Sequence, residues 1–208
     1  YMRRPLVRRD SKRLRINRIK RRVNNLGKYR TVVIDPPWKF VDHGMTLPMQ
    51  GGNLLDHPPY KTMTDQEIKN FPINDFADEN CDLFLWSTHT KLPFIFNELL
   101  PHWGFKYHVL LTWDKLSGIC IKGFYRRTEY VVYAYRGKFG IDIGRGKYIP
   151  TIFQERPKRH SEKPSTFYTL IKERTLEPRI DIFARKRHYG FDAYGDEVES
   201  ALEVPLSF

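Results

Sequence analysis

Cysteine is scarce in this sequence: only Cys81 and Cys120 occur among 208 residues. They form no C-x-x-C pair and each stands in an apolar, strand-like run, so we interpret both as buried thiols in a reducing compartment. The seven histidines show no spacing that would build a metal site, and we predict no metal. Apolar runs of membrane-spanning length and a signal peptide are also lacking. We therefore expect a soluble, intracellular protein that does not associate with membranes.

Acidic residues are nearly missing from the first thirty positions, where thirteen Lys and Arg accompany Asp10 alone. Because the chain has 36 basic and 24 acidic residues, its whole formal net charge of +12 lies in this segment. Such a block is either a solvated tail or a phosphate-binding arm, and an arm makes nucleic-acid binding salt-dependent. We assign residues 1–25 to a basic N-terminal arm and residues 26–208 to one folded domain. Since the first residue is Tyr1 rather than Met, we expect a piece of a longer protein.

A buried strand is predicted at residues 32–34, where three β-branched apolar residues follow one another. The strand leads into Asp35-Pro36-Pro37-Trp38, and the two prolines stiffen this turn and remove N–H donors. The turn therefore offers carboxylate and carbonyl acceptors beside an aromatic plane. Such a site suits a planar group with N–H donors, for example the exocyclic amine of adenine. The alternative is a structural turn that ends in a packed tryptophan.

The rest of the chain alternates between strand and helix patterns. A capping box at Thr64 starts a helix that ends near Phe71, and Pro101 with Gly104 stops a second helix. The predicted strands are 81–86, 107–113, 130–135 and 178–184, and the predicted longer helices are 92–100 and 161–174. Between strands, residues 115–128 are predicted to be a glycine-containing connection with basic residues. The long run at 39–61 is predicted to be a lid over the turn.

Asp35-Pro36-Pro37-Trp38 matches the D/N-P-P-W/F/Y signature of amino-methyltransferases. From about Leu26 to Val198 the chain resembles the MT-A70 family of S-adenosylmethionine-dependent N6-adenine methyltransferases. Further matching motifs occur in the family's order: 26–29 (LGKY), 59–63 (PYKTM), 83–86 (LFLW), 160–164 (HSEKP), 183–185 (FAR) and 194–197 (YGDE). Several motifs in one order are more specific than the tetrapeptide alone.

This resemblance implies an α/β, Rossmann-like methyltransferase fold with a doubly wound, mostly parallel sheet. The catalytic strand precedes the cofactor-binding strand, which is the permuted motif order of the β class. The implied activity is methyl transfer from S-adenosylmethionine to the N6 amine of adenine in nucleic acid. The compact domain favours DNA over RNA. An RNA N6-adenosine methyltransferase and a catalytically silent scaffold that binds nucleic acid or a partner remain alternatives.

The resemblance also implies a partner and a set of site residues. The partner is a catalytically degenerate paralogue in a heterodimer, and residues 115–128 resemble the interface loop at which the family's catalytic subunit often meets such a paralogue. The location is the nucleus if the organism is eukaryotic. The catalytic candidates are Asp35, Pro36, Pro37 and Trp38. The substrate-binding candidates are Tyr60, Lys163 and Asp181. The cofactor-binding candidates are Asn17, Arg18, Asp35, Lys163, Arg185, Arg187, His188, Asp196 and Glu197. Two of these depart from the family: Asn17 stands where Asp is common, and Asp196 where Asn is common.

Overall fold

The structure is a computed structural model that describes residues 28–39, 62–121, 123–142, 144, 148–157 and 163–195. The basic arm, most of the expected lid and five candidate site residues lie outside these ranges. The five residues are Asn17, Arg18, Tyr60, Asp196 and Glu197. Their assigned roles stay predictions.

One seven-stranded sheet organises the described residues, with strand order β5-β3-β4-β2-β1-β6-β7. The strands are β1 (Tyr29–Ile34), β2 (Ala77–Ser87), β3 (Lys106–Ile121), β4 (Phe124–Arg136), β5 (Ile152–Gln154), β6 (Arg179–Ile182) and β7 (Asp192–Tyr194). Strand β4 is antiparallel to both of its neighbours, and every other pairing in the sheet is parallel. The predicted α/β, Rossmann-like methyltransferase architecture with a mostly parallel sheet is confirmed.

Helices cover both faces of the sheet. Successive side chains of a strand point to opposite faces, so β1 contributes residues to the packing on each side. On one face Val32 and Ile34 of β1 pack in a cluster with Ile68, Leu99 and other residues of the helices that follow β1 and β2. On the other face Val33 packs in a second cluster with residues of the helix Ser165–Arg174. Strand β1 is thus buried on both sides, as its β-branched run predicts.

Helices begin and end close to the predicted positions, with one correction. The predicted capping box is confirmed: Thr64 Oγ1 accepts the Glu67 N–H, and Glu67 accepts the Thr64 N–H, at the start of helix Asp65–Lys69. The next helical run consists of Leu92–Phe94, a π-helical turn at Ile95–Leu99, and Leu100–Trp103. Pro101 therefore does not stop it. The wider π turn accommodates Pro101, which cannot donate a main-chain hydrogen bond. Gly104, in the left-handed conformation, ends the helical run.

Among the described helices, none is long and apolar enough to cross a membrane.

Residues 115–121 and 124–128 differ most from the sequence prediction, because they are strand rather than a loose connection. Strands β3 and β4 continue as an antiparallel ribbon that pairs Ile121 with Phe124. Gly118 fits a bulge where an added Cβ would lie 2.3 Å from the Arg126 carbonyl oxygen, and Gly123 adopts φ +83° at the turn. This ribbon also explains a second correction. Cys81 is buried as predicted, whereas Cys120 is exposed on the ribbon.

Candidate active site

The Asp35 turn lies at the carboxyl ends of β1, β2 and β6, the edge where open α/β sheets bind ligands. The Asp35 N–H donates to the Ile182 carbonyl at 3.2 Å, which ties the turn to β6. The Met63 N–H donates to the Pro37 carbonyl at 2.8 Å, and Lys39 N–H donates to the Met63 carbonyl at 3.1 Å. The described residues on either side of segment 40–61 therefore meet beside the turn. The role of that segment as a lid stays a prediction.

Trp38 packs into the protein instead of offering an open aromatic plane. Its side chain belongs to the core cluster and is 5% exposed, and its Nε1–H donates to the Trp86 carbonyl at 3.1 Å. Its backbone N–H donates to the Pro36 carbonyl at 2.8 Å, which occupies one of the two lone pairs expected to serve a ligand. The expectation of a stacking surface at Trp38 is therefore corrected. The residue instead fixes the turn and orients the Pro36 carbonyl.

Lys163 joins Asp35 to a second carboxylate that sequence reasoning did not find. Its Nζ lies 3.3 Å from Asp35 Oδ2 and 2.8 Å from Glu129 Oε2. Lys115 Nζ lies 3.2 Å from the other oxygen of Glu129. Lys163 Nζ also stands over the Trp86 ring, 4.8 Å from its centroid. The result is a row of alternating charges that begins at the Asp35 turn and continues into the base of the β3–β4 ribbon.

Burial and this row of charges have opposing effects on the pKa values of Asp35, Glu129 and Lys163. Burial raises the pKa of Asp35 above its usual range even though Lys163 opposes it, and Glu129 adds repulsion. Burial also works against the charge of Glu129, but Lys163 and Lys115 outweigh it and hold the pKa of Glu129 below its usual range. For Lys163, burial is outweighed by Asp35 and Glu129, so its pKa is raised. Lys163 is therefore held more firmly as a cation, and the charged form of Asp35 is held at some electrostatic cost.

A third carboxylate, Asp181, lies in the middle of β6 beside β1. It is 2% exposed, pairs in register with Val33, and shares a hydrogen bond with the hydroxyl of Tyr168. Its Oδ1 is buried without a hydrogen-bond partner. Burial raises the pKa of Asp181 well above its usual range, and Asp35 adds repulsion. Burial therefore favours the neutral acid of Asp181 more strongly than it is favoured in an exposed aspartate.

The predicted cofactor residues after β6 also lie at this edge of the sheet. The His188 ring stacks face to face on Tyr168, with 3.3 Å between ring centroids and 6° between planes. Arg185 is close enough to Asp35 to favour its ionised form and so lower its pKa. Arg187 lies in the same segment and is exposed. The structure thus brings Asp35, Lys163 and Asp181 together and places this basic segment next to them.

Sequence reasoning missed Glu129, Lys115, Tyr168 and Trp86 as parts of the site. Glu129 lies in β4 between Thr128 and Tyr130, where a charged residue reads as an ordinary exposed strand position. Its partner Lys163 lies 34 positions later, and no local pattern links the two. Tyr168 stands on the buried face of its helix and reads as a core aromatic. The only signal for either residue was the expected convergence of strand ends at one edge.

Asp181→Asn should leave the protein at least as stable as wild type at pH 7. The pKa of Asp181 is raised in the folded state, so the folded protein holds a proton that the unfolded chain releases near its usual value of about 4. Stability therefore falls as pH rises above about 4 until the folded group ionises, and the amide removes this fall. The measurement is urea unfolding between pH 4 and pH 8 for both proteins. An equally steep decline in the Asn variant would contradict the assignment.

The family model described as MT-A70 matches residues 29–197. The chain belongs to the MT-A70 family. The match to MT-A70 contains Asp35, Glu129, Lys163 and Asp181 and begins after Asn17 and Arg18. The chain is similar to the type II methyltransferase M.MunI of Mycoplasma sp, with 25% identity over 197 residues that cover 86% of this chain and 82% of that protein. It is also similar to the N(6)-adenine-specific methyltransferase METTL4 of Mus musculus, with 28% identity over 96 residues, 45% of this chain and 18% of that protein.

Proposed function

We propose that this domain transfers a methyl group from S-adenosylmethionine to the N6 amine of adenine in nucleic acid, with DNA the preferred polymer. The observation that carries the proposal is the Asp35 turn, whose carboxylate is held at the carboxyl edge of the sheet by Lys163. The names of both relatives support a methyltransferase, and one of them names N6 of adenine.

The chain's own contribution is a pair of acceptors for the two hydrogens of the amine. Asp35 Oδ2 is engaged by Lys163, so Oδ1 is the oxygen assigned to one hydrogen. The Pro36 carbonyl retains one lone pair beside its bond from Trp38 N–H, and it is assigned to the other. As the amine attacks, positive charge grows on nitrogen, so both acceptors bind the transition state more strongly than the ground state. The methylated nitrogen then releases one of its two hydrogens as a proton, and Asp35 Oδ1, which accepts a hydrogen bond from it, takes up that proton and passes it to solvent.

Lys163 has a positioning role in this scheme. It holds one oxygen of Asp35 in place and lowers the pKa that burial raises, so more of the carboxylate is ionised at neutral pH. Glu129 in turn holds Lys163 from the other side at 2.8 Å. Groups that are already held in the reactive orientation lose less entropy on reaching the transition state, which lowers the barrier.

The residues beside Asp35 fit S-adenosylmethionine in the chemistry of their polar groups. The buried Oδ1 of Asp181 is an acceptor without a partner, and Arg185 adds positive charge near Asp35. Acceptors suit the donor's ammonium and ribose hydroxyl groups, and an arginine suits its carboxylate. We assign Arg185, Arg187 and His188 to this molecule. When bound, it supplies a methyl group on a sulfonium, which accepts the electron pair of the breaking C–S bond.

The direct test is incubation with labelled methyl donor and matched DNA and RNA oligonucleotides that contain adenine, followed by nucleoside analysis. Labelled N6-methyladenosine or its deoxy form is the expected product, with the deoxy form in excess. A larger RNA product would reverse the polymer preference. No product, together with no donor binding in calorimetry even with a paralogue added, would favour the catalytically silent scaffold. We also propose that the active form is a heterodimer, which sedimentation with and without the paralogue measures.

Removal of residues 1–11 should weaken nucleic-acid binding and flatten its salt dependence. The deletion removes four arginines and one aspartate from the segment that carries the whole net charge. Each lost phosphate contact reduces the slope of log affinity against log salt by about 0.7 for single strands and about 0.9 for duplex DNA. The measurement is affinity for one oligonucleotide at several salt concentrations. Donor affinity is the control and should not change, and parallel salt lines would identify the arm as a solvated tail.

A further inference from the structure

The β3–β4 ribbon projects from the edge of the sheet that holds Asp35. Strand β2 pairs with β4 only as far as Ser87 and Tyr130, at the carboxyl end of β2. Because β4 runs antiparallel to β2, residues 124–129 lie beyond that end, on the same side as the Asp35 turn. On its other side, β3 pairs with β5 only through Asp114. Past these points no described strand borders the ribbon, which extends about 16 Å from Glu129 to Phe124.

The ribbon is fixed at its base and braced along its length. An isolated two-stranded hairpin is only marginally stable in water, so these contacts matter. Asp114 accepts hydrogen bonds from Arg127 and from Gln154 Nε2, and the Arg127 hydrogen bond lowers the pKa of Asp114 to about 2. Farther out, the Gly118 N–H donates to the Tyr125 hydroxyl at 3.1 Å across the bulge. The outer strand residues are therefore presented in a defined geometry.

The outer part of this ribbon exposes aromatic rings next to a cation. Phe124 is 73% exposed, Tyr125 is 59% exposed, and Arg126 is also exposed. Because side chains alternate along a strand, Phe124 and Arg126 share one face of β4 and Tyr125 lies on the other. Glu129 and Lys115 at the base belong to the row of charges that reaches Asp35 through Lys163. Aromatic rings beside an arginine are the surface that single-stranded nucleic acid uses, with bases stacked on rings and phosphates on cations.

We propose that this ribbon is a nucleic-acid arm in which Phe124 stacks on a base flanking the target adenine and Arg126, on the same face of β4, binds a phosphate. The proposal rests on the proposed function in taking nucleic acid as the substrate, and it adds which surface holds the strand. A catalytically degenerate paralogue is the competing occupant, because residues 115–128 resemble the family's interface loop. The shared edge with Asp35 and the arginine favour the nucleic acid. An apolar ring that stacks between bases also helps to keep an extruded adenine out of a duplex.

The test compares Phe124→Ala and Arg126→Ala with the matched controls Tyr107→Ala and Lys106→Ala. The controls are an exposed aromatic and an exposed cation at the opposite end of β3. Affinity for a fluorescent adenine-containing DNA oligonucleotide is measured by anisotropy at several salt concentrations, without methyl donor. Phe124→Ala should weaken binding about fivefold to 150-fold with an unchanged salt slope, since stacking carries no charge. Arg126→Ala should reduce the slope by about 0.7 for a single strand, and both controls should match wild type.

The result that overturns the proposal is equal affinity of Phe124→Ala, Arg126→Ala and the two controls, or no oligonucleotide binding by any of these proteins. Sedimentation of the same proteins identifies the competing occupant. A loss of association with itself or with a paralogue, while oligonucleotide affinity stays unchanged, would make the ribbon a protein interface. Because binding is measured without methyl transfer, weaker binding by the variants supports the arm even if the chain transfers no methyl group.

Discussion

Asp35→Ala should reduce methyl transfer about 100- to 1,000-fold while leaving the protein as stable as wild type or more so. The D/N-P-P-W/F/Y signature also admits asparagine, which keeps an acceptor oxygen, whereas alanine removes both the acceptor and the anion that stabilise the positive amine, a loss of this order when one preorganised electrostatic group is removed. Stability should not fall, because burial already raises the pKa of Asp35 and the charged form is the unfavourable one in the fold. Steady-state rates with an adenine oligonucleotide and urea unfolding at pH 7 measure the two effects.

The matched control for Asp35→Ala is Glu98→Ala, which removes a carboxylate from an exposed pair. Glu98 lies 3.1 Å from Lys69, and its side chain is 56% exposed. Its replacement should change neither rate nor stability beyond about 0.5 kcal/mol. The mechanism fails if Asp35→Ala transfers methyl groups at a rate near wild type. If the variant lost activity only because it unfolds, urea unfolding would show a stability below that of wild type, contrary to the expected result.

The sequence predicts the Asp35 turn well because its signals are local. Three β-branched residues favour a strand, and two prolines favour a stiff turn, whatever the rest of the chain does. The helix that starts at Thr64 is predictable for the same reason, since both partners of its capping box lie within four residues. Short strands such as β7 carry no such signal. The three residues of β7 form a strand only because the edge of β6 is available for pairing.

The contacts that complete the site depend on packing between distant segments, so the sequence could not supply them. Trp38 follows the prolines and reads as an exposed plane, but the Trp86 carbonyl 48 positions later accepts its N–H and the core covers its ring. Glu129 becomes part of the site only because the β2–β4 pairing places it beyond the end of β2, opposite Lys163. The burial that raises the pKa of Asp35 likewise exists only in the assembled sheet.

The Glu129 contact leads to a second large effect, on stability. Lys163→Met should destabilise the protein by on the order of 3 kcal/mol at pH 7, because one cation serves two partly buried carboxylates. The side chains of Asp35 and Glu129 are 17% and 21% exposed, so water replaces the lost partner only in part. Lys69→Met is the control, since its partner Glu98 is exposed and a pair of that kind contributes about 0–1 kcal/mol. Urea unfolding at several pH values is the measurement.

The pH dependence of Lys163→Met distinguishes lost charge from lost packing. Without Lys163, the pKa of Asp35 rises further and that of Glu129 rises too, so the folded variant holds protons that the unfolded chain releases. The destabilisation should therefore grow as pH rises from 5 to 8, and the acid limb of the activity profile should move to higher pH. Adding Glu129→Gln removes one of the two uncompensated charges and should restore part of the lost stability. A loss that is the same at every pH and is not restored by Glu129→Gln would mean that Lys163 contributes its methylene chain rather than its charge.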